Sequence, residues 1–193
     1  MNENLILIHG LKYSGKSSIA DRLMENYGYV RVKLADPLKN MLRSLLRDAG
    51  LDAEIIERCL EGDLKEVPLE VLCGRTPRYA MMTLGNEWRD LLDNKLWSFI
   101  ALGKIRKLLS QGRKIVVDDI RYPFELEILG EIGAATWVVT RGNLHFEPYG
   151  EDRHPSERPM SVDKFDAHIK NDFGTLPELH QRIDQLMPVS QAA

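Results

Sequence analysis

Leu5-Ile-Leu-Ile-His9-Gly10-Leu-Lys-Tyr-Ser-Gly15-Lys16-Ser17 is the stretch that decides the fold of this chain. The four apolar residues at its start are too few to span a membrane, and they predict a buried strand. The glycine-rich turn leads into a helix over 16–27, whose apolar residues Ile19, Leu23 and Met24 are expected to face inward. A strand, a tight turn and a helix in this order are typical of one unit of an α/β protein.

The spacing of this turn is suited to binding phosphate. Gly10 and Gly15 allow the backbone angles that direct successive N–H groups towards one point. The start of the helix adds N–H groups that lack a helical partner and the positive end of its dipole. Lys16 can reach the outer phosphates of a nucleoside triphosphate, and the Ser17 hydroxyl can bind Mg²⁺. The residues predicted to contact ATP are Gly10, Lys12, Tyr13, Ser14, Gly15, Lys16, Ser17, Ser18 and Arg141.

Length and composition limit the partners that this chain can have. It has 193 residues, 44% of them hydrophobic, enough for one domain with a core. A formal net charge of −3 gives no overall attraction to nucleic acid or to an anionic membrane, so we expect neither as a partner. Cys59 and Cys73 have neither metal-binding nor redox spacing, and with a plain N-terminus they suggest a protein of the cytoplasm.

Apolar runs alternate with helical periodicity along the rest of the chain, which predicts an α/β fold with a parallel sheet. Asp36 is expected to cap a second helix, with Pro37 at its first position and the inward-facing residues Leu38, Met41, Leu42, Leu45 and Leu46. The segment 50–77 reads as an irregular surface excursion. Further strands are predicted over 29–34, 114–119 and 135–140, and further helices over 78–92, 96–109, 124–131 and 177–187. In the last of these helices the residues expected to face inward are Leu179, Ile183, Leu186 and Met187.

Two aspartates end the strand that begins at Lys114. Asp118 and Asp119 are expected near the carboxyl edge of the sheet, where ligands bind in open α/β folds. Mg²⁺ prefers oxygen ligands, often including a carboxylate. Because side chains alternate along a strand, we expect one of the two to face the phosphate turn, and we favour Asp119. The alternative is that they cap the turn before Pro123.

Arginines outnumber lysines by 15 to 11, and several lie where no helical surface pattern explains them. A planar guanidinium binds phosphate oxygens in pairs, so such arginines suggest a second anionic substrate beside the triphosphate. For any one of them, a solvated surface charge is the alternative. The arginines concerned are Arg75, Arg78, Arg121, Arg141, Arg153 and Arg158.

Six segments in order give the chain a resemblance to the deoxynucleoside monophosphate kinases of tailed bacteriophages, across nearly its whole length. Only the first segment is specific by itself. They are Gly10–Ser17, Lys33-Leu-Ala-Asp36-Pro-Leu-Lys39, Thr76-Pro-Arg78 with Leu84-Gly-Asn-Glu-Trp88-Arg89-Asp90, Asp118-Asp-Ile-Arg121-Tyr-Pro-Phe-Glu125, His154-Pro-Ser-Glu157 and Ile169-Lys-Asn171-Asp172.

The resemblance implies a three-layer P-loop NTPase fold in one domain over 1–193, with an acceptor-binding region at about 36–95 and a lid at about 142–159. It implies transfer of the γ-phosphoryl group of ATP, with Mg²⁺, to a deoxynucleoside monophosphate. The catalytic residues would be Lys16, Arg121, Arg153 and Arg158, and the acceptor would be bound by Asp36, Lys39, Arg43, Arg78, Trp88 and Arg89. Trp88 stands where the resemblance leads us to expect glycine, so it either packs on a base or marks a motif shortened by one residue.

Two other functions fit the same phosphate turn. A kinase of this type could phosphorylate a hydroxyl acceptor, either a molecule like dephospho-coenzyme A or a hydroxymethylated base in DNA. The chain could instead be a nucleotide-dependent switch that hydrolyses its nucleotide slowly and has no small-molecule acceptor, but such a protein does not need so many arginines. The accepted base and the oligomeric state, with a homodimer as one alternative, stay open.

Overall fold

The computed structural model describes residues 2–142, 158–172 and 174–187. Five strands are present in this part of the chain: β1 (Asn2–Gly10), β2 (Tyr29–Arg31), β3 (Lys114–Ile120), β4 (Ala134–Thr140) and β5 (Ala167–Lys170). The helices are α1 (Lys16–Tyr27), α2 (Asp36–Asp48), α3 (Ala53–Glu61), α4 (Pro77–Leu91), α5 (Leu96–Ser110), α6 (Pro123–Gly130) and α7 (Leu176–Leu186).

The five strands form one parallel sheet in the order β2-β3-β1-β4-β5. This confirms the predicted α/β class with a parallel sheet flanked by helices. Strand β5 was not anticipated, because Ala167-His-Ile-Lys170 has only one fully buried residue, Ile169, and so lacks the apolar run of the inner strands. It pairs with β4 from Trp137 onwards and forms one edge of the sheet.

Both faces of the sheet are covered, as in parallel sheets generally. Leu5 to Ile8 in β1 are at most 1% exposed, although successive side chains point to opposite faces. On one face Ile6 and Ile8 pack in a cluster with residues of α1 and α7. Helix α6 contacts β1 and β4. The central strand β1 therefore carries the turn into α1 on a rigid support.

Three apolar residues predicted to face inward are exposed instead: Met24, Leu45 and Leu186. Each precedes or follows a buried residue, Leu23, Leu46 and Met187 respectively. For Met24 and Leu45 the reason is that neighbouring positions on a helix are about 100° apart, so when one is centred on the core its neighbour turns towards solvent. Leu186 is the last residue of α7, and Met187 follows the helix with an extended backbone. The apolar stripes of these helices are narrower than the sequence pattern suggested.

The start of α2 differs from the prediction by one residue. Ala35 occupies the N-cap position, so Asp36 is the first helical residue and not the cap. Its carboxylate still lies in the first turn, where it interacts favourably with the helix dipole. The strand before it is shorter than predicted, because β2 ends at Arg31 and not at Leu34.

The segment 50–77 is not the irregular excursion that was predicted. It contains α3 and two short 3₁₀ turns, Asp63–Glu66 and Glu70–Leu72. Ile56, Cys59 and Leu60 of α3 follow helical spacing and are at most 1% exposed, packed in one cluster with Leu42 and Leu46 of α2. The charged residues between them concealed this pattern.

The chain forms two compact units, one of residues 1–33 with 101–193 and the other of residues 34–100. The first contains the sheet, and the second contains α2, α3 and α4 around the cluster of Leu42 and Leu46. No helix within residues 2–142, 158–172 and 174–187 is long and apolar enough to cross a membrane.

Candidate functional site

The turn between β1 and α1 needs glycine at both ends. A Cβ atom on Gly10 would lie 2.6 Å from the carbonyl oxygen of Val139 in β4 and 2.7 Å from Ser14 Oγ. Gly15 has a φ of +109°, and a Cβ there would lie 2.7 Å from Asn171 Nδ2. Ser14 Oγ is buried and has no hydrogen-bond partner among the described residues. A buried hydroxyl of this kind can donate to a bound anion.

Lys16 is the first residue of α1 and turns back into the loop, where Nζ donates to the carbonyl oxygen of Leu11 at 2.6 Å. Burial, and after it the charge of Arg121, lower the pKa of this ammonium group from 10.5 to about 8. Asp118 and Asp119 act in the opposite direction. The lysine is thus held in a place where its charge is poorly compensated, and a phosphate group would compensate it.

Asp118 and Asp119 lie at an irregularity of the sheet. Leu7 pairs with Val117, whereas His9 pairs with Ile120, so β3 has one more residue than β1 at this point. The alternation on which the choice of one aspartate depended is therefore interrupted here, as at a β-bulge. Both aspartates are close enough to raise the pKa of Lys16.

Asp118 is already engaged by a neighbouring strand. It is 4% exposed and accepts two hydrogen bonds from Arg31 of β2, one of them from Nε at 2.9 Å. Arg31 also donates to Asp21 of α1 at 3.0 Å. The sequence did not identify Arg31, whose partner lies 87 residues away.

The Mg²⁺ prediction can be tested against the donor atoms that the chain provides. No group of three or more His, Cys, Asp or Glu side chains able to hold a metal is found in residues 2–142, 158–172 and 174–187. The candidates Ser17, Asp118 and Asp119 offer oxygen atoms only, which suits Mg²⁺, an ion that usually binds few protein groups together with water and substrate phosphates. These residues fit the ion, with Asp118 the less available because Arg31 binds it.

Arg121 follows β3 on a backbone that Glu125 holds in place. Glu125 is 2% exposed, and its Oε2 accepts hydrogen bonds from the backbone N–H groups of Arg121 at 2.7 Å and Tyr122 at 3.0 Å. Since Glu125 lies at the third position of α6, this contact fixes both the start of the helix and the arginine before it.

His9 connects three segments at the carboxyl edge of the sheet. Its ring is buried and stacks on Phe165 with 5.6 Å between centroids. The N–H of Met160 donates to Nε2 at 3.2 Å, so Nδ1 carries the hydrogen and donates to the carbonyl oxygen of Ile120 at 3.0 Å. His9 is therefore a packed residue near the end of β1.

The remaining predicted ATP contacts lie around the loop. Tyr13 has a positive φ of 67° and is 73% exposed, with the ammonium of Lys12 4.8 Å from its ring centroid. Arg141, which follows β4, donates from Nη1 to the carbonyl oxygen of Tyr13 at 3.3 Å. Ser17 is exposed and Ser18 is half-buried in the first turn of α1.

Most of the predicted lid lies outside the described residues. This applies to Arg153 and to His154-Pro-Ser-Glu157. Arg158 is described and exposed to solvent. The roles assigned to Arg153 and Arg158 stay predictions.

The unit of residues 34–100 pairs three of the predicted acceptor-binding cations with glutamates. Lys39, 8% exposed, donates to Glu61, and Arg78 donates to Glu66. Arg43 makes two hydrogen bonds to Glu57, at 2.5 and 3.0 Å. Lys65, absent from the predictions, has a pKa lowered by burial and by the charges of Lys39 and Arg78, so these three cations lie close together.

Trp88 and Arg89 lie next to each other on α4. Trp88 is 41% exposed and stacks on Trp97, with 6.4 Å between the ring centroids and 24° between the planes. Trp97 is anchored by a hydrogen bond from Nε1 to the carbonyl oxygen of Gly85 at 3.0 Å. One face of Trp88 is therefore packed within the protein. Asp36, Trp88 and Arg89 as acceptor ligands stay predictions.

No protein-family model matches the chain. A protein of Acanthamoeba polyphaga mimivirus named "Putative deoxynucleotide monophosphate kinase" is 28% identical over 197 residues, covering 93% of both chains. Two solved structures of similar extent are TT1252 from Thermus thermophilus and the dephospho-CoA kinase from Campylobacter jejuni. TT1252 is 20% identical with a TM-score of 0.45, covering 94% of this chain and 95% of its own. The dephospho-CoA kinase is 18% identical with a TM-score of 0.42, covering 95% and 94%.

Proposed function

We propose that this chain is an ATP-dependent phosphotransferase that converts a deoxynucleoside monophosphate to the diphosphate. The observation that carries the proposal is the loop from Gly10 to Lys16. It places a partly buried ammonium group and a buried hydroxyl without a partner among the described residues at the start of a helix. Such an arrangement favours a bound polyphosphate, because it is costly to leave these groups buried and uncompensated.

A phosphate-containing acceptor is supported by the cations of residues 34–100. The positive charges of Lys39 and Arg78 lie close enough to Lys65 to lower its pKa, so these like charges repel one another. A monophosphate would relieve this repulsion and could exchange with the glutamates that now pair with Lys39 and Arg78. The resemblance described above and the name of the mimiviral relative favour a deoxynucleotide as that acceptor.

The proposed reaction transfers one phosphoryl group. The terminal oxygen of the acceptor monophosphate attacks the γ-phosphorus of ATP, the bond to the β-γ bridging oxygen breaks, and ADP leaves with that oxygen. Lys16 and Arg121 would bind the phosphate oxygens on which charge accumulates, and Glu125 would keep Arg121 in place. Ser17 and Asp119 would hold Mg²⁺, which neutralises charge on the phosphates when bound. In this scheme the protein contributes positioning and electrostatic stabilisation.

An acceptor panel tests the function. Purified protein is incubated with ATP and Mg²⁺ and, in turn, with each common deoxynucleoside and ribonucleoside monophosphate, with dephospho-coenzyme A and with hydroxymethylated DNA, and ADP formation is followed in a coupled assay. We expect ADP to form only with a monophosphate acceptor, and at least one deoxynucleotide to be used. No turnover on the whole panel would contradict the proposal. Turnover only with dephospho-coenzyme A or with hydroxymethylated DNA would indicate a hydroxyl acceptor, and acceptor-independent slow hydrolysis would indicate a switch.

A further inference from the structure

Asn171 joins the far edge of the sheet to the phosphate loop. It follows β5 directly and is 8% exposed. Its backbone N–H donates to the carbonyl oxygen of Thr140 at the end of β4, at 2.8 Å. Its side-chain Nδ2 donates to the carbonyl oxygen of Ser14 at 2.9 Å, across 157 residues of sequence and within the protein interior. The asparagine thus links the end of β4 to the phosphate loop between β1 and α1.

This contact controls the direction of a loop N–H group. The peptide bond between Ser14 and Gly15 is trans, as are all the peptide bonds in the described residues. In a trans peptide the C=O and the following N–H point in opposite directions. Because Asn171 holds the Ser14 oxygen on its own side, the Gly15 N–H points away from Asn171. That is the side on which a phosphate would accept it.

The fit between the two residues is close. A Cβ atom on Gly15 would lie 2.7 Å from Asn171 Nδ2, and Gly15 has the positive φ that glycine tolerates. The glycine therefore has two functions: it allows the turn, and it leaves space for the carboxamide behind the turn. Without the carboxamide, the buried Ser14 carbonyl would lose its donor and the peptide could rotate.

We propose that Asn171 is a positioning residue for the nucleotide donor, holding the Ser14–Gly15 peptide in the orientation that binds phosphate. The inference rests on the proposed function, since it assigns a phosphate to the loop. Asn171 acts on the nucleotide only through this peptide. It should therefore affect nucleotide binding more than the acceptor.

The sharpest variant is Asn171→Asp, which keeps the shape of the side chain but places an acceptor opposite the Ser14 carbonyl. The matched control is Lys170→Ala, one residue earlier and exposed on β5. Binding of Mg²⁺·ADP is measured by calorimetry, and KM and kcat by the coupled assay. We expect ADP affinity to fall, and KM for ATP to rise, by about 10- to 100-fold in Asn171→Asp. We expect KM for the acceptor to stay within about twofold in both variants, since the lost hydrogen bond is confined to the loop.

The outcomes separate this inference from the function on which it rests. Wild-type protein that does not bind ADP would overturn both. Wild-type binding with unchanged affinity in Asn171→Asp would overturn the positioning role alone, and so would a fall in kcat with KM for ATP unchanged, which indicates general structural damage. If Asn171→Asp does not fold, amide NMR of the wild-type protein decides. Saturation with ADP should shift the Gly15 N–H and the Asn171 carboxamide together, and an unmoved carboxamide would contradict the inference.

Discussion

The phosphate loop and the cations of residues 34–100 are held in different ways. The phosphate loop and the end of β1 are held by hydrogen bonds from side chains to backbone oxygens that are far away in sequence. Asn171 donates to Ser14, Arg141 to Tyr13, and His9 to Ile120 at the end of β3. The cations of the other unit are held by side-chain carboxylates of the same unit, such as Glu61 and Glu66.

This difference has a consequence for binding. Hydrogen bonds to the backbone hold the loop while the charge of Lys16 stays only partly compensated, so the site is organised before the ligand arrives. A carboxylate partner compensates a cation until a ligand replaces it, so binding there includes the cost of breaking an ion pair. We therefore expect variants of the loop to have large effects, and variants of the cation–glutamate pairs to have smaller effects of either sign.

The largest effect is expected for Lys16→Met. Loss of the ammonium group should lower kcat/KM on the order of 10³-fold, because Lys16 would bind phosphate oxygens on which negative charge accumulates during the transfer. Lys107→Met, an exposed lysine on α5, is the control and should keep wild-type activity. Lys16→Met with more than a tenth of wild-type kcat/KM in the coupled assay would show that the loop does not bind the transferred group.

Substitutions of the two aspartates of β3 should affect different quantities, stability in one case and activity in the other. Asp118→Asn leaves Arg31 without its main partner in a buried place and should lower the free energy of unfolding by about 3 kcal/mol. Asp119→Asn should leave that quantity within about 1 kcal/mol of wild type and lower kcat about 100-fold, by weakening Mg²⁺ binding.

Urea unfolding and a Mg²⁺ titration of the rate measure these two effects. Asp21→Asn is the control, since Asp21 is the exposed partner of Arg31 and its loss should change stability by less than about 1 kcal/mol. If the Asp118→Asn protein were as stable as wild type and its rate responded much more weakly to Mg²⁺, Asp118 and not Asp119 would be the residue that holds the metal.

The sequence allowed the sheet class and the loop to be predicted because both depend on local patterns. An apolar run and the G-x-x-x-x-G-K-S spacing are contiguous, and helix α1 lies where it was expected, at Lys16–Tyr27. Strand β5 was missed because it has only two apolar residues, and helix α3 because charged residues interrupt its apolar positions. The choice between Asp118 and Asp119 relied on regular alternation, and the extra residue in β3 removes that basis.

The supporting contacts could not be predicted, because each joins residues far apart in sequence. Arg31 binds Asp118 87 residues away, and Asn171 binds Ser14 157 residues away. Asn171 belonged to a segment that the resemblance had marked, but nothing local indicated what it contacts. Glu125 is different: Pro123 is typical of a first helical position, and a glutamate two residues later, at the third position, is a local signal that could have been recognised.

Variants of the Arg78–Glu66 pair should change KM for the acceptor by no more than about tenfold, and in opposite directions. Arg78→Ala should raise KM for the acceptor about 10-fold, because a charge-assisted phosphate contact is lost. Glu66→Gln should lower the same KM about two- to threefold, since the competing carboxylate is removed.

KM for ATP should not change in either variant. Arg58→Ala, which breaks the exposed Arg58–Asp63 pair of the same unit, is the control and should alter neither KM. If Glu66→Gln raised KM for the acceptor, Glu66 would be positioning Arg78 for the phosphate and not competing with it.

A rise in pH should change the affinity for ADP and the free energy of unfolding in opposite directions, because both depend on the ionisation of Lys16. Its pKa is lowered from 10.5 to about 8 in the nucleotide-free fold, so above pH 8 the neutral amine predominates and affinity for ADP should fall by a few-fold. Between pH 8 and 10.5 the unfolded chain binds more protons at this position than the folded chain does. The free energy of unfolding without nucleotide should therefore rise with pH across this window, and below pH 8 the charged lysine should cost about 1–3 kcal/mol.

Lys16→Met removes both dependences, so comparing it with wild type cancels the other lysines and tyrosines that titrate in the same range. Calorimetry of ADP binding and urea unfolding at pH 7, 8, 9 and 10 measure the two slopes. If both slopes had the same sign, the low pKa could not be the cost of keeping a buried charge ready for phosphate.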